Sequence, residues 1–164
     1  MAKMLVVDPD RCIGCGLCEM ACSFHHFQEF SRTRSRIKAY RWEKTADAVP
    51  LVCYQCEDAP CIQVCGVAGA IGRHKDTGAV VIDQGLCIGC RLCMFNCPYG
   101  AIDYDAASGA LIKCDLCGGD PACVKYCSVQ AITYVEPARA GEILRAAEAN
   151  KVREQSKGPA AALR

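Results

Sequence analysis

Residues 87–98 read CIGCRLCMFNCP, in which four cysteines follow the spacing C-x2-C-x2-C-x3-C and precede a proline. The 164-residue chain contains four such cysteine groups. Residues 12–22 keep the same spacing, whereas residues 53–65 and 114–127 widen the middle gap to four and five residues. An Ala-Ile pair follows the second, third and fourth groups at nearly the same distance from the last cysteine. The chain is therefore built from four copies of one cysteine-rich unit.

The composition indicates that something other than a large apolar core stabilises the chain. Cysteine accounts for 16 residues, a density typical of disulfide scaffolds or of proteins that hold metal and sulfur clusters, whereas aromatic residues make up only 7%. A formal net charge of +1 gives no support to bulk binding of nucleic acid. Because we find neither a secretion signal nor an apolar run of membrane-spanning length, we expect a cytoplasmic protein. The reducing cytoplasm argues against a scaffold of disulfides.

The spacing of the cysteines favours iron–sulfur clusters over zinc. A C-x2-C-x2-C run folds its backbone around a convex object, so three thiolates reach three corners of one cubane and the fourth thiolate comes from elsewhere. Paired C-x2-C sequences also build zinc sites, but a zinc ion needs four ligands and gains nothing from the third and fourth cysteines of each run. Four cubanes with four ligands each would use all 16 cysteines. Zinc and disulfides are the alternatives to this interpretation.

The pattern predicts an α+β fold of short strands and short helices. We expect a first strand at Leu5 to Val7, a short helix after each cysteine loop, and hairpins at residues 70–83 and 101–112. Two segments depart from the repeat. Residues 23–52 form an insertion between the first and second groups, and residues 136–164 form an Ala-rich tail with a helical pattern.

The four groups together resemble the four-cluster, ferredoxin-type iron–sulfur subunits that accompany molybdenum and tungsten pterin oxidoreductases, hydrogenases and carbon monoxide dehydrogenases. This resemblance covers about residues 4–135. It implies a duplicated, nested two-cluster ferredoxin-like fold, with a double ferredoxin-like domain at residues 1–135 and an inner ferredoxin unit at about residues 53–113. The tail at residues 136–164 would follow as a helix for docking.

The resemblance also implies which cysteines hold which of four [4Fe-4S] clusters, because the first group pairs with the fourth and the second with the third in that family. We name the implied ligand sets as four sites. Site A consists of Cys12, Cys15, Cys18 and Cys127, and site B of Cys114, Cys117, Cys123 and Cys22. Site C consists of Cys53, Cys56, Cys61 and Cys97, and site D of Cys87, Cys90, Cys93 and Cys65.

The expected function is electron transfer without catalysis, since the sequence contains no dinucleotide fingerprint and no phosphate loop. The chain looks most like the small subunit of a bacterial tungsten-dependent aldehyde oxidoreductase. This resemblance implies a large tungstopterin subunit that oxidises aldehydes and a FAD/NAD(H)-binding subunit or other acceptor as partners, without nucleic acid or membrane insertion. The alternatives are the equivalent subunit of a molybdopterin oxidoreductase, hydrogenase, carbon monoxide dehydrogenase or benzoyl-CoA reductase complex, a free polyferredoxin, and a zinc-binding interaction module.

Two segments outside the cysteine groups also carry expectations about partners. Basic residues alternate with other residues from Arg32 to Lys38 and predict a strand with its charges on one face, either a solvated edge or a docking surface for an acidic partner. The tail has a narrow apolar stripe at Ile143, Leu144 and Ala147, which we expect to lie on a partner or on another copy of the chain. A frayed terminus is the alternative for the tail.

Three residues near the cysteines carry weaker expectations. Arg91 stands in the third group where Gly16 stands in the first, and a cation near a cluster raises its reduction potential. His25 and His26 are not needed in the ligand count, so we expect surface or packing roles for them. Because the clusters would supply the cross-links, the apoprotein is expected to be largely unfolded.

Overall fold

The computed structural model describes residues 3–156 as short elements connected by cysteine-bearing loops. The strands are β1 (Met4–Val7), β2 (Lys38–Trp42), β3 (Asp47–Leu51), β4 (Ile71–Arg73), β5 (Val80–Ile82), β6 (Ile102–Asp105), β7 (Ala110–Lys113) and β8 (Ile132–Val135). The α-helices are α1 (Leu17–Phe27), α2 (Pro60–Gln63), α3 (Leu92–Phe95), α4 (Ala122–Lys125) and α5 (Pro137–Ser156). The prediction of a small α+β protein with short strands and helices is confirmed.

The strands pair in antiparallel couples. β1 pairs with β8, which brings the two ends of the cysteine-rich region together with Met4 opposite Val135 and Val7 opposite Ile132. The other couples are the hairpins β2–β3, β4–β5 and β6–β7, each formed by strands that are adjacent in sequence. In the turn between β4 and β5, Gly78 takes a φ of 69° and its amide donates to the carbonyl of His74 at 2.9 Å. Glycine adopts this left-handed conformation at no steric cost.

The loops that carry the cysteines lead directly into the helices. Gly16 precedes α1 and Arg91 precedes α3, and both residues take the left-handed conformation with φ of 78° and 64°. A side chain at position 16 would place its Cβ 2.7 Å from the Nη2 atom of Arg41. Glycine at position 16 is therefore required both by its backbone angle and by the close approach of Arg41.

Two small apolar cores lie beneath the loops. The first joins β1, β8 and the insertion through Leu5, Ile37 and Ile132. The second joins the β4–β5 and β6–β7 hairpins through Val80 and Leu111. Cysteine side chains form part of both cores, so the packing of the domain depends on the cysteines as well as on aliphatic residues.

The insertion corrects one of the predictions. Residues 32–37 are irregular, and β2 begins only at Lys38, so the predicted basic strand is wrong. The cations are paired with carboxylates of the same chain, namely Arg32 with Glu19, Arg34 with Glu29 and Asp105, Arg36 with Asp115, and Lys38 with Asp103. These partners lie on different elements, which is why the basic side chains do not share one face. These ion pairs fasten the insertion to α1, to β6 and to the loop after β7.

The tail forms α5, which packs against β1. Ala140 is buried, and Ile143 and Ala147 are half-buried, whereas Leu144 is 52% exposed. Lys151 Nζ lies 3.9 Å from the carboxylate of Asp10. Residues 157–164 of the predicted tail lie outside the described residues. Within residues 3–156, none of the helices combines the length and the apolar composition that a membrane crossing needs.

Candidate functional site

None of the 16 cysteines forms a disulfide, and they differ in burial. Five are buried, namely Cys18, Cys22, Cys93, Cys114 and Cys123. Cys15 and Cys90 are exposed, and the others are half-buried. Thiols that range from buried to exposed can hold a metal cluster and still give iron and sulfide a path of entry.

The cysteines of site C lie around one cavity. This cavity is lined by Cys53, Cys56, Cys61 and Cys97. Its remaining lining is largely apolar and includes Val80, Ile102 and the ring pair Tyr54–Tyr99, whose centroids are 4.5 Å apart. The fold therefore brings a cysteine of the third group to three cysteines of the second.

The cysteines of site D lie around a separate cavity, which is lined by Cys65, Cys87, Cys90 and Cys93. Here a cysteine of the second group joins three of the third. The other lining residues are mainly aliphatic, among them Ile71, Ile88 and Leu111. An apolar lining excludes water and lowers the local dielectric, which is one means by which a protein sets the potential of a cluster.

The cysteines of site B come together where α1 packs against α4. The pKa of Cys123 is raised by burial and then by its thiol neighbours Cys114, Cys22 and Cys117. Cys22 of the first group thus lies among cysteines of the fourth. Its sulfur accepts a hydrogen bond of 3.3 Å from the amide of Arg36.

The cysteines of site A are assembled less completely in the structure. Burial raises the pKa of Cys18 to about 12, with further contributions from Glu19 and from the neighbouring Cys12 and Cys15. Cys127 packs against the first core, to which Cys18 belongs. The assignment of ligands to all four sites stays a prediction.

The repeated Ala-Ile pair has a role that the sequence pattern alone did not explain. The amide of Ala101 donates to the sulfur of Cys97 at 3.4 Å, and the amide of Ala131 donates to the sulfur of Cys127 at 3.2 Å. Each donor follows its cysteine by four residues. An amide that points at a sulfur stabilises negative charge on it, so these donors favour thiolate ligands.

The chemistry of the thiols fits a cluster with iron bound to sulfur. Burial raises the pKa of Cys114 to about 12 and that of Cys117 to about 11. Thiolate is the form that binds metal, so iron must displace these protons, and its positive charge then compensates the thiolates in a buried environment. Soft thiolate ligands select iron–sulfur clusters and zinc among the common protein metals.

His26 lies closer to a cysteine than the sequence suggested. Its Nε2 atom is 3.7 Å from the Cys117 sulfur and 3.5 Å from a carboxylate oxygen of Asp115. Burial, followed by the charge of Arg36, lowers the pKa of His26 to about 4. Because both neighbours accept hydrogen bonds, the neutral imidazole is suited to donate through Nε2. The ring nitrogens of His25 and His26 and the Cys117 sulfur lie within 4.8 Å of one another.

Glu19 is a second residue near the sites that sequence reasoning missed. This carboxylate is 4% exposed and directly follows Cys18. It accepts hydrogen bonds from Arg32 and Arg41, and also from the amide of Ala39 at 3.1 Å. Arg41 in turn donates to the carbonyl of Gly14. The insertion therefore holds the first cysteine loop in place through a neutralised carboxylate.

The fold and the cysteine sites define a ferredoxin-type iron–sulfur protein. The profile of the 4Fe-4S dicluster domain matches residues 44–137, and the profile of the 4Fe-4S binding domain matches residues 5–25. The first match spans more than half of the chain. The chain belongs to the 4Fe-4S dicluster domain family, and its cysteines bind multiple [4Fe-4S] clusters.

Similar proteins include subunits of oxidoreductases. The polyferredoxin-like subunit of the aliphatic sulfonate oxidoreductase of Pyrococcus furiosus is 38% identical over 123 residues, which are 75% of this chain and 70% of that protein. Formate hydrogenlyase subunit 2 of Escherichia coli strain K12 is 32% identical, and the alignment covers 83% of this chain and 83% of that protein. A chain of the active site complex BamBC of benzoyl coenzyme A reductase as isolated aligns over 95% of this chain and 97% of its own length, with 26% identity and a TM-score of 0.48.

Proposed function

We propose that the chain is a non-catalytic electron-transfer subunit with four [4Fe-4S] sites, held by the nested ligand sets A to D. The observation that carries the proposal is the exchange of cysteines between the second and third groups, which surrounds each of two apolar cavities with four thiols. Each cluster, when bound, would accept and release one electron. The residues of the chain hold the clusters, exclude water and direct amide donors to the sulfurs.

The proximity of thiols from different sites supports an arrangement of the four sites in series. Cys18 of site A and Cys22 of site B both lie on α1. Gln55, between two cysteines of site C, donates to the carbonyl of Cys114 of site B at 2.9 Å. Cys61 of site C packs against the second core, to which Cys93 of site D belongs. These links connect the sites in the order A, B, C and D, so one end of the series lies in the outer unit and the other in the inner unit.

The proposed partners are a tungstopterin subunit that oxidises an aldehyde and a flavin/NAD subunit or another acceptor. The resemblance of the cysteine groups to the small subunit of tungsten-dependent aldehyde oxidoreductase supports this proposal. The similarity to a polyferredoxin-like subunit of an oxidoreductase supports the more general role as a subunit. A hydrogenase-type complex is the second candidate, because the chain is 32% identical to a subunit of formate hydrogenlyase over 83% of each chain.

The test is elemental analysis of the complex purified anaerobically through a tag on this chain. The expected result is about sixteen iron atoms per chain, together with co-purifying tungsten. Nickel or molybdenum instead of tungsten would replace the proposed partner, and iron on an isolated chain would favour a free polyferredoxin. A colourless protein that contains zinc would overturn the electron-transfer function itself.

A further inference from the structure

Lys113 is a buried cation at the end of β7. The residue is only 4% exposed, whereas lysine is almost never fully buried unless it is paired. Its Nζ atom donates to the carbonyls of Val80 and of Cys114, the latter at 3.0 Å. Within residues 3–156, the structure gives it no carboxylate partner. Burial of a cation is costly unless negative charge compensates it, so this position calls for an explanation.

Lys113 lies at the junction between sites B and C. It directly precedes Cys114 of site B in the sequence, and it lines the cavity that is surrounded by the cysteines of site C. Its Nζ atom lies 3.0 Å from the carbonyl oxygen of Cys114, and Cys61 lines the same cavity as Lys113. One cation therefore lies beside ligands of both sites.

The position of the ammonium group is fixed by its surroundings. Gln55, which lies between two cysteines of site C, donates from Nε2 to the carbonyl of Cys114 at 2.9 Å. Its Oε1 atom accepts from the amide of Val80 at 2.8 Å. Gln55 and Lys113 thus both form hydrogen bonds with backbone atoms of Val80 and Cys114. The ammonium cannot turn to solvent without breaking both of its own hydrogen bonds.

We propose that Lys113 is a potential-tuning residue, whose fixed positive charge raises the reduction potentials of the clusters at sites B and C. This inference rests on the proposed function. Uptake of an electron makes a cluster more negative, and a nearby cation in a medium of low dielectric stabilises that reduced form. Salt screens a buried charge far less than a charge at the surface, so the effect persists at physiological ionic strength. The clusters at sites B and C are then easier to reduce than they would be without Lys113.

The test compares Lys113→Met and Lys113→Gln with Lys75→Met in the anaerobically purified holoprotein. The first two variants remove the buried charge, and the third removes a charge from the exposed turn between β4 and β5. The midpoint potentials are measured by redox titration followed by electron paramagnetic resonance. We expect the potentials assigned to two of the clusters to fall in both Lys113 variants, by about tenfold in the reduction equilibrium or about 59 mV for one electron. The Lys75 variant is expected to keep all wild-type potentials.

The possible outcomes separate this inference from the proposed function. Wild-type protein with far fewer than about sixteen iron atoms would overturn the proposed function. Full iron content with unchanged potentials in both Lys113 variants would overturn the tuning role alone. Loss of iron from both Lys113 variants, beside full loading of Lys75→Met, would also overturn tuning and leave Lys113 as a residue needed for folding.

Discussion

The guanidinium group of Arg34 forms two hydrogen bonds with the carboxylate of Asp105, of 3.2 Å from Nε and 2.9 Å from Nη2. Arg34 belongs to the insertion, and Asp105 is the last residue of β6, 71 positions further along the chain. Asp105 is 4% exposed and also accepts from the hydroxyl of Ser108. The Arg34 guanidinium lies over the ring of Phe27 at 4.0 Å. This pair ties the insertion to a hairpin that is remote in sequence.

Replacement of Asp105 by Asn is expected to destabilise the protein in a pH-dependent manner. Hydrogen bonds from Arg34 and then Ser108 lower the pKa of Asp105 to about 2. Because the folded-state pKa is below the unfolded value of about 3.9, the stabilisation is present above about pH 4 and is lost as the pH falls towards 2. At pH 7 we expect Asp105→Asn to lower the free energy of unfolding by about 1 kcal/mol. The measurement is the denaturant concentration that halves the cluster absorbance after a fixed time.

The matched control for this prediction is Glu29→Gln. Glu29 is the other partner of Arg34, at 2.9 Å, but its side chain is 54% exposed. Exposed ion pairs contribute little, so this variant should behave as wild type between about pH 6 and pH 8. Equal destabilisation by both variants, or an Asp105→Asn effect that changes with pH across this range, would contradict the assignment.

The nested ligand sets can be tested with two double variants that each remove two cysteines. Cys56→Ala with Cys97→Ala removes two ligands of site C, so one cluster of about four iron atoms should be lost. Cys56→Ala with Cys65→Ala removes one ligand from site C and one from site D, so about eight iron atoms should be lost. Iron analysis of the two purified proteins distinguishes these results. If each cysteine group instead held its own cluster, the second variant would lose one cluster and the first would lose two.

Arg91→Gln is expected to lower one midpoint potential. Arg91 lies in the loop of site D, and its guanidinium lies over the ring of Tyr104 at 4.0 Å, which holds the charge near the cluster-binding loop. Removal of a cation disfavours the more negative reduced form. Redox titration of the holoprotein measures the effect, with Arg145→Gln on the exposed side of α5 as the control. Four unchanged potentials in Arg91→Gln would refute the prediction.

A carboxylate introduced at a buried position of α5 should destabilise the protein, whereas one introduced on the exposed side should not. Ala140→Asp places a carboxylate at a buried position of α5 and is expected to lower the free energy of unfolding by about 2 kcal/mol or more. Leu144→Asp alters the exposed side, so stability and iron content should stay at the wild-type level. If the tail docks on a partner or on another copy, Leu144→Asp will shift the complex to a smaller size in size-exclusion chromatography. An unchanged elution volume would refute docking through this side.

The sequence predicted the features that depend on local spacing. The hairpin at β4–β5 follows from alternating aliphatic residues and from Gly78 in the turn, because these signals act over a few residues. The cysteine loops likewise follow from C-x2-C spacing. The grouping of Cys97 with Cys61, and of Cys65 with Cys93, came instead from the resemblance, since local spacing gives no information about which distant cysteine completes a site.

Interactions between distant residues could not be read from the sequence. The alternating cations from Arg32 to Lys38 have the period of a strand, but that period arises here from ion pairs with several different elements. The burial of Glu19 could not be predicted from the sequence either, because a carboxylate is ordinarily exposed. Its partners Arg32 and Arg41 come from the insertion, which is distant in sequence. The burial of Lys113 could not be predicted either, because a lysine side chain is also ordinarily exposed.

The pairing of β1 with β8 has a consequence for the order in which the chain folds during synthesis. β1 is synthesised before the other strands, but its partner β8 is made only after β2 to β7. The hairpins β4–β5 and β6–β7 can close as soon as they emerge, because their partner strands are neighbours in sequence. We therefore expect the hairpins β4–β5 and β6–β7 to form before β1 pairs with β8. The surroundings of the first cysteine group are then completed last.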